Sequence, residues 1–285
     1  MLPGATELWR HVNEAIKLAI VARKGGVGRT PICQNLAGAC ADRKARILLV
    51  DQDPQGSLSK NFFGKELVNG LEAHQTAAAI YRGLKQSQAV IHETVVPGVS
   101  IVPANDHMQE FDYFLREAKD AKVFALRKFI KKVECDFNMI LIDTPPNAGN
   151  LPVAASWAAC DYSLTVIQPT KNAIEAIADI KARIASVLTT TNPGLCDLGC
   201  LLTNVKNTKV HRGYVRAVRQ LYGENIFRTM IPTRTILEEA ITARMPVTHY
   251  RPKSDVAEAF RQALGEIGQK INEAHQVAQN RVANE

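Results

Sequence analysis

A glycine-rich segment near the start of the chain has the residue types of a phosphate-binding loop. It reads Lys24-Gly25-Gly26-Val27-Gly28-Arg29-Thr30-Pro31, after an apolar run and before a stretch typical of a helix. A strand that ends at glycines and opens a helix directs several backbone N–H groups at one point, where the helix N-terminus adds positive potential. Glycine also allows close backbone approach and positive φ, which we expect at all three glycines. The alternative is an ordinary tight turn between a strand and a helix.

Carboxylates end two later apolar runs. Asp51 and Asp53 follow residues 47–50, and Asp143 follows residues 139–142. Such runs are typical of buried parallel strands, whose carboxyl ends meet at the crevice where ligands bind. Because side chains alternate along a strand, Asp51 and Asp53 share a face. Three carboxylates predicted at the crevice of the glycine loop favour a nucleotide site over a simple turn.

In order and spacing, these three segments resemble the deviant Walker A, switch I and Walker B motifs of the ParA branch of the ParA/MinD family of ATPases. The resemblance extends over about residues 16 to 272. It implies a P-loop NTPase fold of the deviant Walker A type. It also implies ATP and Mg²⁺ as cofactors, and a homodimer that encloses the nucleotides at its interface.

The resemblance also assigns roles to residues. Lys24 would reach the phosphates held by the other subunit, and Asp53 would orient the attacking water, which makes these two the catalytic residues. Residues 24–31 as printed above would bind the nucleotide. The magnesium residues would be Thr30, Asp51 and Asp143, and the candidates for packing on adenine are Asn204, Ile231, Pro232 and Thr233.

The loop departs from its pattern at three positions. A standard P-loop reads G-x-x-x-x-G-K-[ST], but here Arg23 stands at the first glycine and Arg29 at the lysine. Arginine keeps the charge but is planar and bulkier, so the exchange is not conservative at a packed phosphate. Pro31 stands where the family usually has a second threonine, and proline has no N–H to offer a phosphate. We therefore expect an ATP hydrolase that is slow.

One segment carries a concentration of basic residues. The formal net charge is +7, and no acidic residue lies between Leu198 and Gly223. Arg212, Arg216 and Arg219 have the spacing of one helix face, with Tyr214, Val218, Leu221 and Tyr222 predicted towards the core. Such a face fits sequence-independent contact with DNA phosphates, although a solvated surface helix is the alternative. The resemblance favours non-specific DNA, and the predicted DNA-binding residues are Lys206, Lys209, Arg212, Arg216 and Arg219.

Composition indicates the class of protein and the compartment in which it works. With 46% hydrophobic and 22% charged residues it matches a soluble globular protein. No stretch approaches the roughly 18 apolar residues of a membrane span, so we predict no membrane partner. Six cysteines at irregular spacings indicate reduced thiols in a cytosol, and the close pair Cys196 and Cys200 lacks a second pair for a metal site. The predicted location is cytoplasmic and associated with the nucleoid.

Alternating strand and helix patterns predict an α/β fold, a doubly wound, mainly parallel sheet with helices on both faces. Residues 1–15 would be a short extension, too short for a DNA-reading helix-turn-helix domain, and residues 16–285 a single domain. A stripe from Val256 to Ile271 predicts a C-terminal helix packed on the core. Helix patterns also span Phe111 to Val133, Asn172 to Leu188 and Tyr214 to Tyr222. The strands are predicted at Leu18–Ala22, Ile47–Asp51, Val99–Pro103, Met139–Asp143, Ser163–Gln168, Leu198–Asn204 and Phe227–Pro232.

The leading functional hypothesis is a ParA-like ATPase for plasmid or chromosome partition, or for positioning another cargo. A ParB-like partner or other cargo adaptor would stimulate hydrolysis and release the dimer from DNA. The second hypothesis is a nucleotide-switched binding protein with little or no hydrolysis, favoured by Arg29 and Pro31. A relative of the nitrogenase iron protein is disfavoured, because Cys160 is the lone candidate cluster ligand after the third motif.

Overall fold

The computed structural model describes residues 14–83, 86–114 and 121–282. The predicted N-terminal extension therefore lies outside the described residues, apart from positions 14 and 15. Its separation from one domain of residues 16–285 stays a prediction.

A single eight-stranded sheet organises the described residues, in the order β3-β4-β2-β5-β1-β6-β7-β8. Neighbouring strands are parallel except β3, which pairs antiparallel with β4. The central strands are entirely buried, as their continuous apolar runs predict. The strands are β1 (Ile16–Val21), β2 (Ile47–Asp51), β3 (His92–Glu93), β4 (Val99–Val102), β5 (Met139–Asp143), β6 (Tyr162–Ile167), β7 (Cys196–Val205) and β8 (Ile226–Pro232).

Helices cover both faces of the sheet. Short 3₁₀ turns lie among them, at Ala73–Gln75, Ser87–Val90, Asp106–Phe111, Ala121–Phe124, Glu134–Asp136 and Gly223–Asn225. The α-helices are α1 (Arg29–Ala41), α2 (Ser57–Phe63), α3 (Lys65–Asn69), α4 (Ala78–Tyr81), α5 (Ala125–Val133), α6 (Leu151–Ala159), α7 (Ala173–Thr190), α8 (Lys209–Tyr222), α9 (Ile236–Thr242), α10 (Val247–Tyr250) and α11 (Asp255–Val282).

Alternation along the strands divides the core between the two faces. Leu18 and Ile20 of β1 belong to one buried cluster, with apolar residues of α1, α2, α9, α10 and α11. Ala19 and Val21 point to the other face, which α4, α5, α6 and α7 cover, and α8 continues that face beyond α7. We call the first the α1 face and the second the α5–α8 face. A period of two along each strand is the physical reason for this division.

The strand register brings the predicted motifs to one edge. Asp51 and Asp143 are register partners at the ends of β2 and β5, and Ile20 of β1 pairs with Asp143. β5 lies between β1 and β2, although it comes later in the chain. The chain leaves β1 and β5 in opposite directions across the sheet, which opens a crevice at their carboxyl ends.

The predicted fold class is confirmed, and every predicted strand is present within about two residues of its expected bounds. The predicted helix from Phe111 to Val133 is wrong in part. Phe111 ends a 3₁₀ turn and Phe114 forms an isolated bridge with Asn150, while residues 115–120 lie outside the described residues. The helix α5 begins only at Ala125, and the short strand β3 was missed.

Candidate nucleotide site

The glycine loop joins β1 to α1 at the crevice. Gly26 and Gly28 have φ of 73° and 99°, as expected, whereas Gly25 lies outside the left-handed region. The first internal bond of α1 runs from the Ile32 N–H to the Gly28 carbonyl, at 3.0 Å. The N–H groups before Ile32 therefore have no acceptor within the helix and face the loop. No acidic residue lies in the first turn of α1, so the end keeps its attraction for an anion.

Two side chains from neighbouring strands hold the loop from outside. The Gln168 amide, just past β6, donates to the Gly26 carbonyl at 2.9 Å. The Thr203 hydroxyl, near the end of β7, donates to the Val27 carbonyl at 2.5 Å. Both carbonyls are thus engaged, which fixes the orientation of the peptide groups that carry the loop N–H groups. Sequence reasoning gave these two residues no role, because their partners lie more than a hundred positions away.

A hydroxyl and a carboxylate meet beside the loop. The Thr30 hydroxyl donates to Asp143 Oδ2 at 2.6 Å, while Asp143 Oδ1 is buried and has no partner among the described residues. Burial raises the pKa of Asp143 to about 6, against the opposing effects of the Arg29 guanidinium and the Thr30 hydroxyl. An unpartnered carboxylate oxygen next to a hydroxyl fits Mg²⁺, which prefers one or two carboxylates together with water and phosphate oxygens. In the described residues no cluster of three or more metal-ligating side chains forms a cage.

Asp51 organises the loop after β2. Its Oδ1 accepts the Asp53 N–H at 3.0 Å, and its Oδ2 accepts both the Ser59 N–H at 3.0 Å and the Ser59 hydroxyl at 2.7 Å. The Ser59 hydroxyl in turn accepts the Ala104 N–H at 2.9 Å. Burial and the neighbouring Asp143 raise the pKa of Asp51 well above its ordinary value, and the Ser59 bonds oppose the rise. Asp51 therefore ties the loop to α2, and its predicted part in the magnesium site stays a prediction.

Arg29 lies against Asp53 rather than extending into solvent. Its side chain is 8% exposed, and one terminal nitrogen stands 3.9 Å from Asp53 Oδ2. The other terminal nitrogen is 3.5 Å from the Lys24 carbonyl, and the Arg29 Nε has no partner among the described residues. Burial raises the pKa of Asp53, which the Gln55 N–H and the Arg29 charge oppose. The residue that replaces the P-loop lysine is thus coupled to the predicted water-orienting carboxylate.

The flanking basic residues take different positions. Lys24 is exposed at the start of the glycine loop. Arg23, at the position of the first glycine of a standard P-loop, turns outward to α7. Its guanidinium lies 3.2 Å from Glu175 and 3.7 Å from Asp179. Arg23 therefore does not occupy the phosphate position.

The four residues predicted to pack on adenine differ in position and in exposure. Asn204 lies beside the loop, because a Cβ built on Gly28 would be 3.9 Å from its amide nitrogen, and Asn204 has a positive φ of 50°. Ile231 is buried in the apolar core of the α1 face and presents little surface to a ligand. Pro232 is half-buried and Thr233 is exposed, with the Thr233 N–H bonded to the Val205 carbonyl.

The predicted basic helix is α8, and four of the five candidate DNA contacts are exposed: Lys206 just before the helix, and Lys209, Arg212 and Arg216 on it. Arg219 is only half-exposed, because it donates to the carbonyls of Phe227 and Arg228 on the edge strand β8. Arg219 thus braces β8 through one guanidinium nitrogen, and its predicted contact with DNA stays a prediction. Leu221 was expected in the core but is 60% exposed, whereas Val218 is buried as predicted.

A glycine loop at a helix N-terminus, a buried aspartate at the end of an adjacent parallel strand and a hydroxyl between them define a P-loop nucleotide-binding protein. A family model described as an AAA domain matches residues 15–196. The chromosome partitioning protein ParA of Myxococcus xanthus is 29% identical over 256 residues, which cover 88% of this chain and 87% of that protein. The chromosome-partitioning ATPase Soj of Thermus thermophilus is 29% identical over 259 residues, covering 90% and 97%.

The fold has counterparts among solved structures. An ATP complex of McdA from Cyanothece has a TM-score of 0.77 with 16% identity, covering 89% of this chain and 96% of that one. That likeness concerns the fold. The chain belongs to the ParA/MinD family of P-loop ATPases, as its three motifs indicated. In the described part of the chain, no helix is long and apolar enough to cross a membrane.

Proposed function

We propose that this protein is a partition-type ATPase that binds ATP with Mg²⁺ and forms a nucleotide-dependent homodimer. The observation that carries the proposal is the buried Asp143 Oδ1, which has no hydrogen-bond partner among the described residues and lies beside the Thr30 hydroxyl. Both groups lie at the N-terminus of α1, whose first N–H groups have no acceptor within the helix. A buried polar atom without a partner is costly, and its place next to a phosphate-type loop explains why it is retained.

The proposal assigns roles to the glycine loop, to Thr30 and Asp143, to Asp53 and to Lys24. The loop N–H groups from Gly25 to Thr30 would hold the phosphates, and Thr30 and Asp143 would hold Mg²⁺. When bound, magnesium neutralises charge on the β- and γ-phosphates. Asp53 orients the attacking water, and the exposed Lys24 reaches the nucleotide of the second subunit, so the γ-phosphate distinguishes the closed dimer from the open one.

Arg29 supports slow hydrolysis in this scheme. Its guanidinium lies against Asp53 where a standard loop has a compact lysine ammonium, and Pro31 removes one N–H from the phosphate site. The same two residues favour the second candidate, a nucleotide-switched binding protein that hardly turns over. The two candidates share ATP binding and differ only in hydrolysis.

The DNA part of the proposal rests on α8. Its exposed basic residues contact DNA phosphates without reading bases, and a ParB-like partner or other cargo adaptor stimulates hydrolysis and releases the dimer. The relatives named above are partition proteins, which supports this role and a location on the nucleoid in the cytoplasm.

ATP turnover with and without DNA tests the proposal, measured on the wild type, Arg29→Lys and Pro31→Thr. We expect low basal turnover that DNA or either substitution raises. ATP binding without turnover in all three proteins would select the nucleotide-switched binding protein. Absence of ATP binding in all three would refute the nucleotide site itself.

A further inference from the structure

A second basic surface, which the sequence reasoning did not single out, lies on α5. Residues 121–133 contain five basic residues and no acidic one: Lys122, Arg127, Lys128, Lys131 and Lys132. The apolar residues of α5 are buried against the sheet, so the basic residues point outward. The helix is therefore firmly packed and presents charge on its solvent side.

Not all of this charge is neutralised within the protein. Lys131 lies 2.8 Å from a Glu134 oxygen and 3.7 Å from Glu14, so it belongs to a local ion-pair cluster. By contrast, Lys128 and Lys132 are exposed and form no ion pair with any described residue. They are four positions apart and so share one helix face. These two lysines therefore carry uncompensated charge on the surface of α5.

The position of α5 relates it to α8. Both helices lie on the α5–α8 face, α5 joining β4 to β5 across β2, and α8 joining β7 to β8. Four strand spacings of about 4.8 Å separate β2 from β7, so the two basic helices are about 20 Å apart. Duplex DNA carries one charge per about 1.7 Å of its axis, so one duplex can present phosphates to both helices.

Between them lie α6, whose residues are almost all buried, and α7. The exposed residues along the middle of α7 are small and uncharged, namely Ala178, Ala182, Ala185 and Ser186. The acidic residues of α7 are paired, Glu175 with Arg23, and Asp179 with Arg23 and Arg183. On α7, therefore, neither bulky exposed side chains nor unpaired acidic residues lie between the two basic helices.

From this arrangement we infer that Lys128 and Lys132 on α5 form a second phosphate-contacting site for duplex DNA, on the same face as α8. The inference rests on the proposed function, because it assumes that α8 holds DNA. An acidic protein partner is disfavoured, since α5 exposes no large apolar or aromatic side chain of the kind that anchors protein interfaces.

The test is a salt titration of DNA binding, with a non-hydrolysable ATP analogue and Mg²⁺, on two unrelated duplexes. Lys128→Gln with Lys132→Gln should lower the slope of log K against log salt by about two, because each phosphate contact contributes about 0.9. The matched control is Lys65→Gln with Lys253→Gln, which removes the same charge from exposed positions away from α5 and α8. This control should keep the wild-type slope.

The outcomes separate the inference from the proposed function. If the wild type does not bind DNA, the DNA part of the proposed function and the inference are both refuted. If Arg212→Gln with Arg216→Gln weakens binding but the α5 variant matches the Lys65/Lys253 control, the inference alone is overturned, and an acidic partner becomes the better occupant of α5.

A measurement on the unaltered protein removes any dependence on how the variants fold. DNA should slow the acetylation of Lys128 and Lys132 severalfold, while Lys65 and Lys253 should react at the same rate with and without DNA. Equal acetylation of the α5 lysines in both conditions would also overturn the inference.

Discussion

Replacing Pro31 with threonine should tighten ATP binding about tenfold to a hundredfold. Pro31 is the third residue of α1, and the first internal acceptor of the helix, Gly28, is taken by Ile32. An N–H restored at position 31 therefore has no acceptor within the helix and remains available to a phosphate. One charge-assisted hydrogen bond is worth about 1.5–3 kcal/mol, and each 1.4 kcal/mol is about tenfold in affinity.

The surroundings of Pro31 allow the change. Its carbonyl accepts the Asn35 side-chain amide at 2.7 Å, a bond that does not involve the ring. Loss of the ring raises the entropy of the unfolded chain, so the free energy of unfolding should fall by about 0.4–1 kcal/mol. Tighter binding together with a slightly less stable apoprotein is the expected combination.

The assay is equilibrium titration with a fluorescent ATP analogue at fixed Mg²⁺, for wild type, Pro31→Thr and Pro31→Ala. Alanine restores the N–H without a hydroxyl, so equal tightening in both variants assigns the effect to the N–H. Thermal unfolding without nucleotide controls for damage to the fold. If neither variant binds more tightly than wild type, the reasoning about the helix mouth is refuted.

Three further predictions address the other groups. Asp53→Ala should leave nucleotide binding largely intact but abolish phosphate release and prolong the DNA-bound state, and undiminished turnover would remove Asp53 from the reaction. Arg29→Lys should raise ATP affinity or turnover, because a compact ammonium fits between phosphates and no longer lies against Asp53. Weaker ATP binding would show that the loop is shaped around arginine. Reversing the charges of Lys209, Arg212 and Arg216 should abolish DNA binding without preventing ATP-dependent dimerisation, followed by light scattering; binding like that of the wild type would leave α8 a solvated surface.

This charge-reversal set omits Arg219 for a structural reason. Arg219 donates to two carbonyls of β8, an edge strand whose N–H groups at Arg228 and Thr229 are bonded to Glu266. Side chains thus form hydrogen bonds with backbone groups that would otherwise be open to pairing with another strand. Reversal at Arg219 would disturb that edge and confuse loss of DNA binding with local unfolding.

The elements were predictable where one local pattern decided them. Buried parallel strands are continuous apolar runs, so the runs before Asp51 and Asp143 located β2 and β5 to the residue. The predicted helix from Phe111 to Val133 was wrong in part, because the apolar spacing of this segment is compatible with one long helix. In the structure Asp112 bonds the Asn150 side chain and Phe114 pairs with Asn150, and these contacts with a distant loop break the pattern.

The sequence by itself determined the glycine loop between β1 and α1, the carboxylates at the strand ends and the family, because glycine spacing and strand termini are local properties. Only the tertiary structure decided that Arg29 lies against Asp53, that Gln168 and Thr203 hold the loop, and that Arg219 braces β8. These contacts join residues from different strands and helices. Their partners are set by the order of strands in the sheet and by the face on which each helix packs, and neither is encoded in any short stretch of the chain.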